Sequence, residues 1–189
     1  AMRDIIRHNL SKYNHAPHAP ERIWGDVAAP RVLVLDQTAG DASVTLGMTH
    51  EDCFQTMLEA ALAAYPPAHI RVKTHPDVIA GKKRGYLADY AAGRGVRVIA
   101  TDYAPLSLLA GADVVYTVTS QMGFEALMLG KEVHCFGMPF YAGWGLTRDR
   151  QTCSRRKQQR SLEEVFAAAY LLYARYVNPI RGERCDIHD

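Results

Sequence analysis

The sequence predicts an α/β protein with a doubly wound, mainly parallel sheet, Rossmann-like in layout. Three observations carry this: short β-branched runs recur between residues 31 and 136, helix signals separate them, and the first run, Arg31 to Leu35 (RVLVL), shows no polar alternation. Unbroken apolar runs suit strands covered on both faces. Strands alternating with helices then indicate βαβ units.

The elements follow in order. Residues 1–30 hold two His-Ala-Pro triplets and end in Ala-Ala-Pro30, which reads as an extended lead-in because proline lacks an N–H and drives its predecessor out of helix. The Arg31 to Leu35 strand stops at Asp36-Gln37-Thr38-Ala39-Gly40-Asp41. Thr49-x-x-Asp52 has the form of a capping box ahead of Phe54, Met57, Leu58, Ala61, Leu62 and Tyr65, which keep the 3.6-residue period until Pro66-Pro67. A second strand is expected from His69 to Thr74. After the Gly81-Lys82-Lys83-Arg84-Gly85 turn come a short helix, a third strand (Val96 to Ala100), a helical turn at Pro105 and a fourth strand (Val114 to Val118). A helix from Met122 to Leu129 is closed by Gly130 at a position that tolerates positive φ. The fifth strand is Glu132 to Phe136. Residues 137–160 read as irregular, and Ser161-x-x-Glu164 opens a last helix with an apolar face of Leu162, Val165, Phe166, Ala169, Tyr170, Tyr173 and Tyr176.

Composition narrows the function classes. The chain has 189 residues, 48% hydrophobic and 22% charged, enough for one globular domain with its own core. Lys+Arg 22 against Asp+Glu 20 leaves a net charge of +2, so bulk electrostatics do not call for nucleic acid. No apolar run reaches the ~18 residues of a membrane span, and the first twenty residues lack a signal peptide's apolar stretch. The four cysteines form no CxxC pair and fit reduced thiols better than a zinc ribbon or disulfide scaffold. Ala1 ahead of Met2 resembles a cloning scar, so the chain is expected to be a piece of a longer protein.

Four segments gather chemistry at the expected carboxyl ends of strands, where doubly wound sheets bind ligands. In the loop after the first strand, Asp36 and Asp41 offer one carboxylate for a reacting carbon and one for support, with Gln37 between them and Gly40 admitting a close ligand. The same two aspartates suit a turn held by Asx contacts. The G-x-G-x-x-G fingerprint of dinucleotide sites is absent. At the second strand's end, Arg71, Lys73 and His75 alternate onto one side, and Pro76 stiffens the position. A phosphate there meets charge-assisted donors, and a His75 with its pKa near neutrality suits protonation of a leaving phosphate; His75 equally fits a strand-end histidine bonded to backbone. Lys82 and Lys83 extend the positive charge or simply solvate a turn. In the third segment, Ser120 caps a helix whose first N–H groups suit an anion, followed by Gln121, by Gly123 for close approach, and by Glu125 for ribose hydroxyls or the helix dipole. In the fourth, Phe136 to Gly145 sets Tyr141 and Trp144 in a glycine-rich loop. These rings suit stacking on a base or sugar, or packing against the last helix.

Together DQTAGDAS, VKTHPDV with GKKRGYL, YTVTSQMGFEALMLGK and VHCFGMPFYAGWGLT resemble the capsule polysaccharide biosynthesis proteins of the KpsC type, retaining β-Kdo glycosyltransferases. The resemblance covers about residues 10–150, from Leu10-Ser11-Lys12-Tyr13-Asn14 onward. It implies a nucleotide-binding lobe of a two-lobed GT-B enzyme that transfers Kdo from CMP-Kdo to the poly-Kdo linker on a glycolipid acceptor. The His-Pro pair is also similar to that of CMP-sugar-dependent sialyltransferases, which need no metal. The resemblance therefore implies no cofactor and no metal. By position it puts His75-Pro76 and Lys73 at the CMP phosphate, Ser120 and Gln121 at the phosphate or the Kdo carboxylate, and Glu125 at ribose. It makes Asp41 the nucleophile of a double displacement, with Asp36 the fallback. It divides the chain into a lead-in from a preceding lobe (1–30), a Rossmann-like CMP-sugar-binding domain (31–150) and a helix with tail (151–189), the acceptor lobe lying elsewhere in a longer chain. It implies a cytoplasmic site, held at the inner face of the inner membrane through the acceptor or other capsule proteins. A non-catalytic nucleotide- or sugar-binding module and a GT-B-like sugar-nucleotide epimerase are the alternatives.

Overall fold

A computed structural model describes residues 1–188. Six parallel strands form the main sheet: β1 (Val32–Leu35), β2 (Ile70–Lys73), β3 (Arg97–Ile99), β4 (Val114–Thr117), β5 (Glu132–Cys135) and β6 (Arg148–Asp149), in the order β3-β2-β1-β4-β5-β6. The order reverses between β1 and β4, which opens a crevice beyond their carboxyl ends.

β1 shows why the sheet is covered twice. Leu33 and Leu35 enter one apolar cluster, and Val32 and Val34 enter the other. Helices α3 (Cys53–Ala64) and α5 (Ala88–Gly93) close the second face through Phe54, Met57, Leu58, Ala61 and Ala91. Helices α6 (Pro105–Ala110) and α7 (Gln121–Met128) close the first through Leu108, Leu109, Phe124 and Leu127. Gly130, just past α7, has φ +71°, as its place at the helix end requires.

The structure corrects four readings. The lead-in is not wholly extended: α1 (Met2–Arg7) and a 3-10 turn (Glu21–Ile23) form, and Trp24 is buried in the first cluster. The Thr49 capping box does not form. Met48 takes φ +59°, Thr49 is buried, and the chain turns through 50–52 before α3 begins at Cys53. A short helix, α2 (Ala42–Leu46), occupies part of what reads as loop. β6 lies within the stretch expected to be irregular; its polar pair Arg148–Asp149 carries no strand pattern and pairs only at the sheet edge.

Two further helices complete the frame, α4 (Pro76–Ile79) after β2 and α8 (Leu162–Phe166) near the end. The Ser161 capping box of α8 is present in full, Ser161 Oγ accepting from Glu164 N and Glu164 accepting from Ser161 N. From Ala167 to Tyr173 the helix widens into a π-helix, and a two-stranded antiparallel ribbon, β7 (Tyr176–Val177) with β8 (Arg184–Cys185), follows. Among the described residues no helix is long and apolar enough to cross a membrane.

Candidate functional site

A cavity of about 290 Å³ opens in the crevice at the carboxyl ends of β1, β2 and β4. Asp36, Gln37, Asp41, Lys73, His75, Pro76, Ser120, Gln121 and Glu125 all line it. The three segments that supply them are far apart in sequence, and the strand register brings them together: Leu35 pairs with Lys73 and Val34 with Tyr116. The loops that follow these strands therefore meet.

His75 is fixed by its own helix. Its Nδ1 accepts from Asp77 N at 3.1 Å and so caps α4, while Pro76 fills the first helical position, where no N–H is needed. Because Nδ1 is an acceptor, the ring proton of the neutral tautomer is assigned to Nε2. That nitrogen lies 3.4 Å from Tyr13 Oη and is the ring's donor on the cavity side. Burial holds the His75 pKa below its ordinary value, Asp77 opposes this, and Lys12 and Lys73 reinforce it. Burial thus favours the neutral ring, which donates through Nε2.

Lys73 is 4% exposed and donates through Nζ to Thr74 O at 2.6 Å. Burial brings its pKa down to about 8, so it is still cationic at pH 7. The two aspartates differ in what their oxygens do. Asp36 Oδ1 accepts from Gln37 N and Tyr86 N, and Oδ2 accepts from Leu87 N; burial raises its pKa against those three bonds. Asp36 thus ties the β1 loop to the segment before α5. Asp41 caps α2, its Oδ1 accepting from Ser43 N at 2.9 Å, and its Oδ2 accepts from Gln37 Nε2 at 3.1 Å. Burial works to raise its pKa, but the bonds from Ser43 and Gln37 outweigh it and the carboxyl sits below its ordinary value. Asp41 is the less buried carboxylate of the pair and the one whose pKa is held down.

Gln37 staples the crevice. Its Oε1 accepts from Thr119 N at 2.9 Å, while Nε2 reaches Thr119 Oγ1, Ser43 Oγ and Asp41 Oδ2. Opposite, Ser120 Oγ caps α7 by accepting from Met122 N. Two buried polar atoms beside the cavity, Glu125 Oε2 and Thr74 Oγ1, have no partner among the described residues. Burial alone pushes the Glu125 pKa up to about 7. Unpaired buried polar groups are costly, and a ligand hydroxyl would satisfy them.

Other predicted residues lie elsewhere. Tyr141 is fully buried and donates from its hydroxyl to Ser120 O, so it supports the α7 start and does not stack on a ligand. Gly123 serves that contact, since a Cβ there would run into the Tyr141 phenol; its absence of side chain makes room for a ring of the protein. Trp144 lines a neighbouring groove, donating from Nε1 to Phe140 O. Lys82 and Lys83 lie in an exposed turn outside the cavity. Gly40, with φ +77°, makes the turn before Asp41, its N–H donating to Tyr86 Oη, and does not line the cavity. Arg71 shares the lysine's side of β2 yet donates to carbonyls of Ile23, Trp24, Ala68 and Ile70, anchoring the lead-in to the sheet.

Several cavity residues escape a residue-by-residue reading. Lys12 and Tyr13 come from the lead-in, which crosses the strand ends, and Tyr13 meets His75 edge-on at 6.3 Å between ring centroids. Asp102, Tyr103 and Thr119 complete the wall. Only the run Leu10-Ser11-Lys12-Tyr13-Asn14 in the family resemblance signals the first two.

The arrangement sets two cations, Lys12 and Lys73, an imidazole donor and a capped helix start beside the carboxyl groups of Asp36, Asp41 and Asp102, which suits a phosphate held by the cations and attack by a carboxylate on an electrophilic carbon. The family described as "Capsule polysaccharide biosynthesis protein" matches residues 1–185. The chain is similar to the capsule polysaccharide modification protein LipA of Neisseria meningitidis serogroup B, with 46% identity over 100% of this chain and 28% of that protein. Among solved structures, the β-Kdo 2,4 transferase of Thermosulfurimonas dismutans KpsC superposes with a TM-score of 0.91 at 54% identity, covering 99% of this chain and 58% of that one. The β-Kdo 2,7 transferase of the same KpsC gives a TM-score of 0.71 at 31% identity, over 97% and 56%. The chain thus spans little more than a quarter of LipA and just over half of each solved neighbour.

Proposed function

The chain belongs to the capsule polysaccharide biosynthesis protein family, and from that premise we propose that its cavity is the CMP-Kdo site of a retaining β-Kdo transferase, one lobe of a longer two-lobed enzyme. The observation that carries the reading is the convergence of Lys73, His75, the α7 start and Asp41 on a single cavity at the sheet's switch point. A volume of about 290 Å³ is at the low end of small-molecule sites, as suits a lobe that holds part of a nucleotide sugar while the rest faces a second lobe.

In this reading the CMP phosphate lies between Lys73, His75 Nε2–H and the N–H groups at the start of α7. Glu125 Oε2 accepts from a ribose hydroxyl. The Asp41 carboxylate forms a bond to the anomeric carbon of Kdo as the bond from that carbon to the phosphate oxygen breaks, and the electron pair leaves with CMP. An acceptor hydroxyl then displaces Asp41 from the same carbon, its proton passing to solvent and Asp41 returning as the carboxylate. Two inversions retain the configuration. Side-chain cations balance the negative charge of the leaving phosphate, so the reaction is proposed to need neither metal nor cofactor, and activity should survive a chelator. The setting is proposed to be cytoplasmic, with contact to the inner membrane through the glycolipid acceptor.

The test is intact-mass analysis of the full-length enzyme incubated with CMP-Kdo and no acceptor. Wild type should gain the mass of one Kdo residue, and Asp41→Ala should not. An adduct that persists in Asp41→Ala, together with retained transfer, removes Asp41 from the role.

A further inference from the structure

Beside the cavity lies a second groove, of about 850 Å³, between the glycine-rich loop and the last helix. Phe140, Trp144, Tyr170, Tyr173 and Tyr176 line it, with Gln121, Arg160 and Glu164 at its polar positions, Arg160 pairing with Glu164 at 3.4 Å on the protein surface. Gln121, the first residue of α7, lines both the groove and the cavity. Its Nε2 donates to Tyr170 Oη at 3.2 Å, so one side chain forms the partition between them.

The groove is built and not incidental. Phe124, Phe166 and Tyr170 stack beneath it, Phe166 on Tyr170 at 4.7 Å and 8°. The π-helix from Ala167 to Tyr173 supplies one wall. Such i→i+5 segments are rare and concentrate at functional sites. The composition of the wall identifies the occupant. The same segment carries Leu171 and Leu172, and both stand exposed outside the groove, while Tyr170 and Tyr173 line it. An acyl chain would favour the leucines. Aromatic rings with hydroxyl, amide, guanidinium and carboxylate groups between them suit a sugar, whose C–H face stacks on a ring while its hydroxyls and carboxylates bond at the edges.

We propose that this groove holds the saccharide end of the acceptor, an oligosaccharide of acidic sugars. Its terminal hydroxyl faces Gln121 and the cavity, and a carboxylate takes Arg160 over from its exposed pair with Glu164. The inference rests on the donor-site reading above and adds to it where the acceptor lies.

Tyr173 gives the cleanest test, because its side chain is 86% exposed and its removal leaves no hole in the core. The probe is a synthetic Kdo disaccharide with the full-length enzyme. Tyr173→Ala should raise the acceptor KM by about two- to tenfold, the worth of one stacked ring, and Tyr173→Phe should restore it. CMP affinity and adduct formation from CMP-Kdo should be unchanged in both. Saturation-transfer NMR should show the disaccharide in contact with aromatic protons even without nucleotide. An acceptor KM unmoved by Tyr173→Ala overturns the proposal. So does a fall in the stability of the full-length protein with KM unmoved, which would make the groove a contact between lobes. Loss of CMP binding to the wild-type cavity would instead sink the donor reading, and the NMR contact would still decide the groove.

Discussion

Glu125 is a carboxyl 5% exposed, with one oxygen unpartnered and no cation offsetting its burial. Its pKa stands near 7 against an ordinary 4.5. Below pH 4.5 the group is protonated in both folded and unfolded chains. As pH rises the unfolded chain ionises first, so folding stability falls between about 4.5 and 7 and levels off above. At about 1.4 kcal/mol per unit, the full loss is about 3 kcal/mol. Glu125→Gln keeps the shape and removes the titration. Its amide N–H groups need acceptors of their own, which reduces the expected gain at pH 8 to about 1–2 kcal/mol. Denaturant unfolding of the ligand-free chain at pH 5 and pH 8 measures this. The variant should be the more stable at pH 8, with the difference shrinking towards pH 5. Parallel stability curves for the two proteins would refute the reasoning, because they would mean that the carboxylate is already compensated.

Three further outcomes follow from the same geometry. His75→Asn should leave stability nearly unchanged, since asparagine also caps α4, yet weaken CMP about ten- to a hundredfold through a lost bond to a charged phosphate; calorimetric titration beside thermal melting separates the two effects. CMP affinity should decline as pH rises through about 8, where Lys73 loses its proton, and Lys73→Met should abolish that limb of the pH profile. Gly123→Ala should cost about 1–3 kcal/mol by overpacking against Tyr141, and combining it with Tyr141→Phe should recover part of the loss, a coupling that additive unfolding energies would disprove.

β1 and β4 were legible as apolar runs buried throughout, and β2, β3 and β5, which mix charged residues into theirs, from the helix signals between them. β6 was not, since Arg148 and Asp149 are polar and pair only at an edge. Asp41, Lys73, His75 and Ser120 could be read from their places at strand ends. Arg71 could not: alternation puts it on the side of Lys73, but two residues along a strand advance about 6.6 Å, and that step leaves its guanidinium among the carbonyls of the lead-in. Tyr141 and Gly123 each looked like a ligand contact. A ring in a glycine-rich loop and a glycine in a helix's first turn have two physical explanations apiece, and only the fold shows that each explains the other. Lys12 and Tyr13 reach the cavity across the sheet ends, a contact no local pattern encodes.

The central claim is that the crevice between the β1, β2 and β4 loops binds a cytidine nucleotide through its phosphate. A crystal structure of the chain with CMP tests this most directly. The account predicts the phosphate within hydrogen-bond distance of His75 Nε2 and the α7 start at Ser120, with ribose against Glu125. CMP bound elsewhere, or an empty crevice at a concentration that saturates the protein in solution, would contradict it.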